Sequence, residues 1–140
     1  MENQPTMALI VARPGPLRSS LISLASALPQ IDIVAESRDM PSLLRMGAQL
    51  QPNLVLMETN LPGGHVHEAL RYIHREWAAT KTVVLVDDAA QQQEAELAGA
   101  DVVLFKGFRA ANLMEIIEEL LPQAAPLQTA LSATTQPVSQ

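Results

Sequence analysis

The sequence has no cysteine, no long apolar run and no strongly basic segment, and each absence excludes a class of protein. Without cysteine no disulfide can form, which fits a reducing compartment. The longest apolar runs, 7–12 and 82–86, are far shorter than the roughly 18 to 20 residues that cross a bilayer. The opening Met-Glu-Asn-Gln lacks the basic start and apolar core of a signal peptide. We therefore expect a cytoplasmic protein that is not inserted in a membrane.

The charge balance argues against direct binding to nucleic acid. The formal net charge is -6, and the nine lysines and arginines are scattered along the chain. Such a domain repels a phosphate backbone. With 140 residues, of which 48% are hydrophobic, the chain can bury a full core without metals or disulfides. We expect one globular domain.

Short apolar segments rich in β-branched residues predict five β-strands, at 8–12, 31–35, 54–57, 82–86 and 102–105. Most are continuously apolar, which is typical of strands covered on both faces of a parallel sheet. The stretches between them have helical periodicity, and the one after the fifth strand is the clearest. Because parallel strands need right-handed crossovers, five such units predict a doubly wound α/β domain.

The sequence also predicts where the fourth helix and the domain begin and end. Asp88, with Gln91 three residues later, forms a capping-box pattern for the fourth helix, and Gly99 would end that helix. Residues 122–140 carry no charge and no periodicity, which indicates a flexible tail or linker. We therefore predict an N-terminal extension at 1–6, a domain at 7–121 and a tail at 122–140.

Two segments carry a resemblance to a known family. The segment 52–63 places a proline, four apolar residues, Glu58 and then a loop ending Leu-Pro-Gly. It resembles the third-strand motif of response-regulator receivers of the two-component, CheY-like type. The segment 98–107, with its Gly-Ala entry and Lys106, resembles the last strand of that family. The resemblance covers about 7–121 and implies a flavodoxin-like fold with five parallel strands and a role in two-component signal transduction.

The resemblance also implies which positions should carry phosphoryl chemistry, and here the sequence departs from the family. Glu58 stands where the phospho-accepting aspartate belongs, and Ala12 and Arg13 match the acid pair that helps to hold Mg²⁺. Hard cations require several oxygen ligands, so Mg²⁺ binding should be lost or very weak. In-line phosphoryl transfer is sensitive to displacements of about 1 Å, so transfer to the longer glutamate should fail.

The remaining pocket positions are also altered. Val86 matches the serine or threonine at the end of the fourth strand, and Val103 matches the switch aromatic. Only Lys106 keeps the residue of the family. The region after the fourth strand is about two residues shorter than usual for the family, as judged by the resemblance. We therefore predict an atypical receiver with no catalytic residue, no metal and no cofactor.

Three functions remain open at this stage. The leading hypothesis is a receiver that acts by phosphorylation-independent protein–protein interaction and is not an enzyme. The alternative is a receiver still phosphorylated in a phosphorelay on a non-standard group. The third is an enzyme or small-ligand binder on the same scaffold, for which the sequence supplies no nucleophile with its base, phosphate loop or flavin motif.

Individual polar residues have competing interpretations. Glu58 could mimic a phosphorylated carboxylate, could be a solvated strand end, or could form a fixed ionic cluster with Arg13 and Lys106. Asp87 and Asp88 follow the fourth strand and should lie at the same edge of the sheet as Glu58. They could join Glu58 in a cation site, although helix capping and solvation explain them more simply. We predict the ionic cluster and no cation site.

The three histidines and the last helix raise further hypotheses. His65, His67 and His74 could suggest zinc, but His67 and His74 lie about two helical turns apart and no cysteine accompanies them. Exposed polar side chains are the simpler explanation. Met114 lies beside Glu115 and Glu118 at the margin of the last helix. We predict a homodimer through the fourth helix, fifth strand and fifth helix, besides signalling partners that the sequence leaves unidentified.

Overall fold

The computed structural model describes residues 5–63 and 65–121, which form a five-stranded parallel sheet with helices on both faces. The strands are β1 (Met7–Val11), β2 (Ile33–Ser37), β3 (Leu54–Glu58), β4 (Lys81–Val86) and β5 (Val102–Phe105). Their order in space is β2-β1-β3-β4-β5. The helices are α1 (Pro16–Ala27), α2 (Met40–Leu50), α3 (Val66–Glu76), α4 (Ala89–Leu97) and α5 (Ala110–Leu120).

The helices divide the core into two layers. Helices α1 and α5 pack on one face of the sheet, and α2, α3 and α4 pack on the other. Residues of the central strands alternate between the two layers: Leu54 and Leu56 belong to the first, and Val55 and Met57 to the second. The prediction of a doubly wound α/β fold is confirmed.

The continuously apolar strands are the ones in the centre of the sheet. All of β3 is buried, and residues 8–11 of β1 are fully buried. A strand covered by helices on both faces gains from apolar residues at every position, which removes the usual alternation. The apolar runs therefore predicted the central strands correctly, with end points that differ by one residue.

The predicted position of β2 is wrong by two residues. Ile31 is buried, but its N–H donates to Leu28 O in the turn after α1, and the strand begins only at Ile33. At its other end β2 includes Glu36 and Ser37. Because β2 is an edge strand, it tolerates polar residues, and Glu36 pairs with Arg18 of α1 at 2.7 Å.

The predicted N-cap and end of α4 are confirmed, but the capping box is incomplete, because the Gln91 side chain accepts from Asp87 N–H rather than from Asp88 N–H. The side chain of Asp88 accepts a hydrogen bond from the N–H of Gln91, and α4 ends before Gly99, whose φ of 103° suits glycine. Asp39 caps α2 in the same way by accepting from Ser42 N–H. This hydrogen bond, together with one from the Ser42 side chain, holds the pKa of Asp39 below its ordinary value.

Trp77 joins α3 to α2. It lies directly after α3, is 9% exposed, and belongs to the core cluster. Its ring packs against Gly47 of α2, where a Cβ atom would overlap the indole. The small residue in α2 therefore permits the close approach of the two helices.

The limits of the described residues leave two predictions untested. The predicted tail at 122–140, and most of the predicted extension at 1–6, lie outside the described residues. Within 5–63 and 65–121, no helix combines the length and hydropathy that a membrane span requires.

Candidate functional site at the carboxyl ends of the strands

The residues predicted to matter come together because all five strands run in the same direction. Arg13 follows β1, Glu58 ends β3, and Lys106 follows β5. The parallel pairing continues past the strand ends, since Ala12 N–H donates to Ser37 O and Lys106 N–H donates to Val86 O. This pairing fixes the backbone from which these side chains emerge, at the edge where doubly wound sheets place their ligands.

Glu58 lies at the centre of the site. The residue is 4% exposed, and its carboxylate contacts one residue that follows the neighbouring strand β1 and one that follows β5, two strands away. Oε2 accepts a hydrogen bond of 2.7 Å from the backbone N–H of Arg13, and Oε1 accepts one of 3.1 Å from Lys106 Nζ. A buried carboxylate needs such partners, because an unpaired buried charge is costly.

Arg13 contributes less through its side chain than the predicted ionic cluster assumed. Its Nε lies 3.7 Å from Glu58 Oε2, and the side chain is 56% exposed. The backbone N–H of the same residue makes the shorter contact. Arg13 and Lys106 therefore both contact Glu58, as predicted, but the neutralising charge comes mainly from Lys106.

Asp87 belongs to the same cluster. Its carboxylate lies 3.2 Å from Lys106 Nζ and accepts a hydrogen bond of 2.6 Å from Asn60 Nδ2. Desolvation raises the pKa of Asp87, but the hydrogen bonds from Lys106 and Asn60 and the charges of Lys106 and Arg13 outweigh it. The pKa is therefore held below its ordinary value.

The predicted capping role of Asp88 is confirmed, whereas the contact of Asp87 with Lys106 was not predicted. Asp88 caps α4, while Asp87 faces Lys106. The available signal was that β4 and β5 are neighbours, so a residue after β4 lies near the lysine after β5. Lys106 thus lies between two carboxylates, and Glu58, Asp87, Arg13 and Lys106 form a cluster with balanced formal charge.

The other three predicted pocket positions supply only hydrocarbon. Ala12 and Val86 are fully buried, and Val86 is part of the core beneath α3 and α4. Val103 is partly buried and packs against the same core. A small cavity of about 250 Å³ lies beside Glu58 and is lined mainly by the Arg13–Leu17 turn.

The histidines lie apart from this cluster. His65 precedes α3, and its ring stacks on that of His67 with centroids 5.6 Å apart. Among residues 5–63 and 65–121, no group of three or more histidine, aspartate or glutamate side chains could hold a metal ion. Neither zinc nor a three-carboxylate cation site is supported by the positions of these residues.

The fold and this site define a class: a doubly wound α/β domain with an acid at the end of β3 and a lysine after β5, as in the receivers of two-component signalling. The family model described as the response regulator receiver domain matches residues 16–118. The chain therefore belongs to the response-regulator receiver family, and the predicted resemblance is confirmed.

Relatives of known function are response regulators. The chain is 28% identical to the nitrate/nitrite response regulator protein NarL of Escherichia coli over 142 residues, which cover 99% of this chain and 63% of NarL. It is 31% identical to the transcriptional regulatory protein LiaR of Bacillus subtilis over 104 residues, which cover 72% of this chain and 49% of LiaR. The chain thus spans less than two thirds of the length of these relatives.

Solved structures agree with the fold. A two-component response regulator of the LuxR family from Aurantimonas sp. superposes with a TM-score of 0.73 at 25% identity, covering 84% of this chain and 85% of that one. The signal receiver domain of an HD domain-containing protein from Pseudomonas fluorescens superposes with a TM-score of 0.75 at 22% identity, covering 84% of this chain and 94% of that one. Both support the predicted receiver fold.

Proposed function

We propose that this receiver domain signals through protein contacts without being phosphorylated. The observation that carries the proposal is the engagement of both Glu58 oxygens, one by the Arg13 N–H and one by Lys106. The carboxylate at the acceptor position is already satisfied by the protein. A phosphoryl donor would have to displace these contacts, and the nucleophile would be a glutamate rather than the shorter aspartate of the family.

The oxygen ligands at the rim do not fit Mg²⁺. Ala12 offers a methyl group, and Arg13 brings a cation to 3.7 Å from the Glu58 carboxylate. The carboxylates of Glu58 and Asp87 are both paired with Lys106. Because Mg²⁺ requires several oxygen ligands in near-octahedral geometry, a site with two committed carboxylates and two cations disfavours it.

Receiver domains are generally non-enzymatic signalling domains, and we propose the same for this one. The valines at 86 and 103 supply no hydroxyl or aromatic group with which to bind or sense a phosphoryl group. Function would then lie in surfaces held in a fixed arrangement by the ionic cluster, rather than in a cycle of phosphorylation and hydrolysis.

Exposure to acetyl phosphate and Mg²⁺ tests this proposal directly. Intact-mass spectrometry should show no phosphoryl adduct on this domain, whereas the NarL receiver treated in parallel provides a positive control for the reagent. An adduct that is lost in Glu58→Gln would establish transfer to Glu58. An adduct that survives this substitution would instead establish the alternative, phosphorylation on a non-standard group.

We also propose a homodimer through α4, β5 and α5. The predicted face contains Met114, Glu115 and Glu118, but Met114 is partly buried, and the exposed apolar groups nearby are Leu97 and Phe105, at 78% and 46% exposure. Apolar side chains at an edge strand are an expected site of self-association. Sedimentation should show a dimer that Phe105→Glu dissociates, and a monomer at high micromolar concentration would contradict this.

A further inference from the structure

A groove lies between α2 and α3, beside the loop that joins β3 to α3. Its volume is about 380 Å³, and none of the four charged residues of the cluster lines it. The apolar part of its lining comes from both helices and consists of Met40, Leu44, Ala69 and the ring of Tyr72. Leu44 and Tyr72 are only partly buried and leave apolar surface open to a ligand.

The rim of this groove carries a surplus of positive charge. Arg71 and Arg75 of α3 line it, and Glu68 is the acid among the lining residues. The guanidinium of Arg75 lies 5.6 Å from the centroid of Tyr72 and is paired with Glu76 at 3.0 Å. Arg71 is exposed and takes part in no ion pair within residues 5–63 and 65–121.

The rest of the domain has the opposite charge. Helices α4 and α5 contain five glutamates and no lysine or arginine, whereas α2 and α3 contain three arginines and two glutamates. A second copy would not fill the groove with either acidic helix, because Leu113 and Ile117 of α5 are buried against the sheet and α4 offers only one large apolar residue, Leu97, instead of an apolar stripe. The ligand must bring both carboxylates and apolar side chains.

We propose that the α2–α3 groove binds an acidic amphipathic helix of a partner protein. Apolar side chains on successive turns of that helix would pack on Leu44 and Tyr72, and carboxylates along one margin would face Arg71. This is the arrangement in which helices bind apolar grooves, with charges at the rim selecting the partner. The inference goes beyond the proposed function, because it does not depend on the state of Glu58.

A synthetic helical peptide serves as the probe, with leucines on one face and glutamates on both margins. Its matched control carries lysine in place of every glutamate. Trp77 reports on the groove, because it is the only tryptophan and its ring lies edge-on to Tyr72 at 5.7 Å. The acidic peptide should give a saturable change in Trp77 emission. The lysine peptide should bind at least about tenfold more weakly than the acidic peptide.

Charge reversal locates the binding site. Arg71→Glu should weaken binding of the acidic peptide by about three- to tenfold, since it replaces an attraction with a repulsion at a solvated rim. Arg109→Glu changes an exposed cation outside the groove and should leave the affinity nearly unchanged. Absence of saturable binding by the acidic peptide, equal affinity for the lysine peptide, or equal losses in the two arginine variants would overturn the proposal.

Discussion

Replacing Glu58 with glutamine tests whether the ionic cluster holds the rim of the sheet together. The substitution preserves the size of the side chain and an oxygen that can accept the Arg13 N–H. It removes the negative charge that faces Lys106 Nζ at 3.1 Å. We expect Glu58→Gln to fold and to be less stable than the native domain.

The magnitude follows from the burial of the pair. Exposed ion pairs contribute about 0 to 1 kcal/mol, whereas breaking a buried pair costs about 3 to 5 kcal/mol. The side chain of Glu58 is 5% exposed and that of Lys106 is 23% exposed. Because Lys106 keeps Asp87 as a partner at 3.2 Å, its charge is not left unpaired. We therefore expect a loss of about 1 to 2 kcal/mol, between the two limits.

Urea unfolding followed by Trp77 fluorescence and far-ultraviolet circular dichroism measures this loss. Glu115→Gln is the matched control, because Glu115 is exposed and its substitution should change the free energy of unfolding by less than about 0.5 kcal/mol. Addition of Mg²⁺ should not restore the stability that Glu58→Gln loses. If Glu58→Gln were as stable as the native domain, the cluster would have no structural role and the reasoning would be refuted.

Two further predictions concern packing and pH. Gly47→Ala should lower the melting temperature and alter Trp77 emission, because the added methyl group overlaps the indole. Overpacking costs about 1 to 3 kcal/mol, which outweighs the gain in helix propensity of about 1 kcal/mol. Unchanged stability would contradict the packing described. The pKa of Asp87 is lowered from 3.8 on folding, so its contribution to stability is present above that value and is lost as the pH falls through the lower folded pKa. The native domain should therefore lose more stability than Asp87→Asn between about pH 5 and pH 3 in unfolding measured at each pH, and parallel curves would argue against this pairing.

The central strands could be predicted from the continuous apolar runs, whereas the meeting of Glu58 with Lys106 followed from the strand order that the resemblance to receivers implies. The position of β2 could not, since an edge strand accepts polar residues and a buried Ile31 can lie in a turn. The close contact of the Arg13 N–H with Glu58 also escaped prediction, because it depends on backbone geometry after β1 rather than on the type of side chain.

The two aspartates after β4 were predicted only in part. The spacing from Asp88 to Gln91 correctly identified Asp88 as the N-cap of α4. The contact of Asp87 with Lys106 was not predicted, because it depends on the direction of an exposed side chain in a turn and no pattern of residue type encodes that direction.

The side-chain oxygen of Gln91 accepts hydrogen bonds from both Thr59 Oγ1 at 2.8 Å and the Asp87 N–H at 2.7 Å. One amide group on α4 thereby ties the loop after β3 to the loop after β4. We therefore expect the first turn of α4 and the two loops to open together in local unfolding, because release of this one acceptor frees both contacts and α4 buries little more than Ala95 by itself.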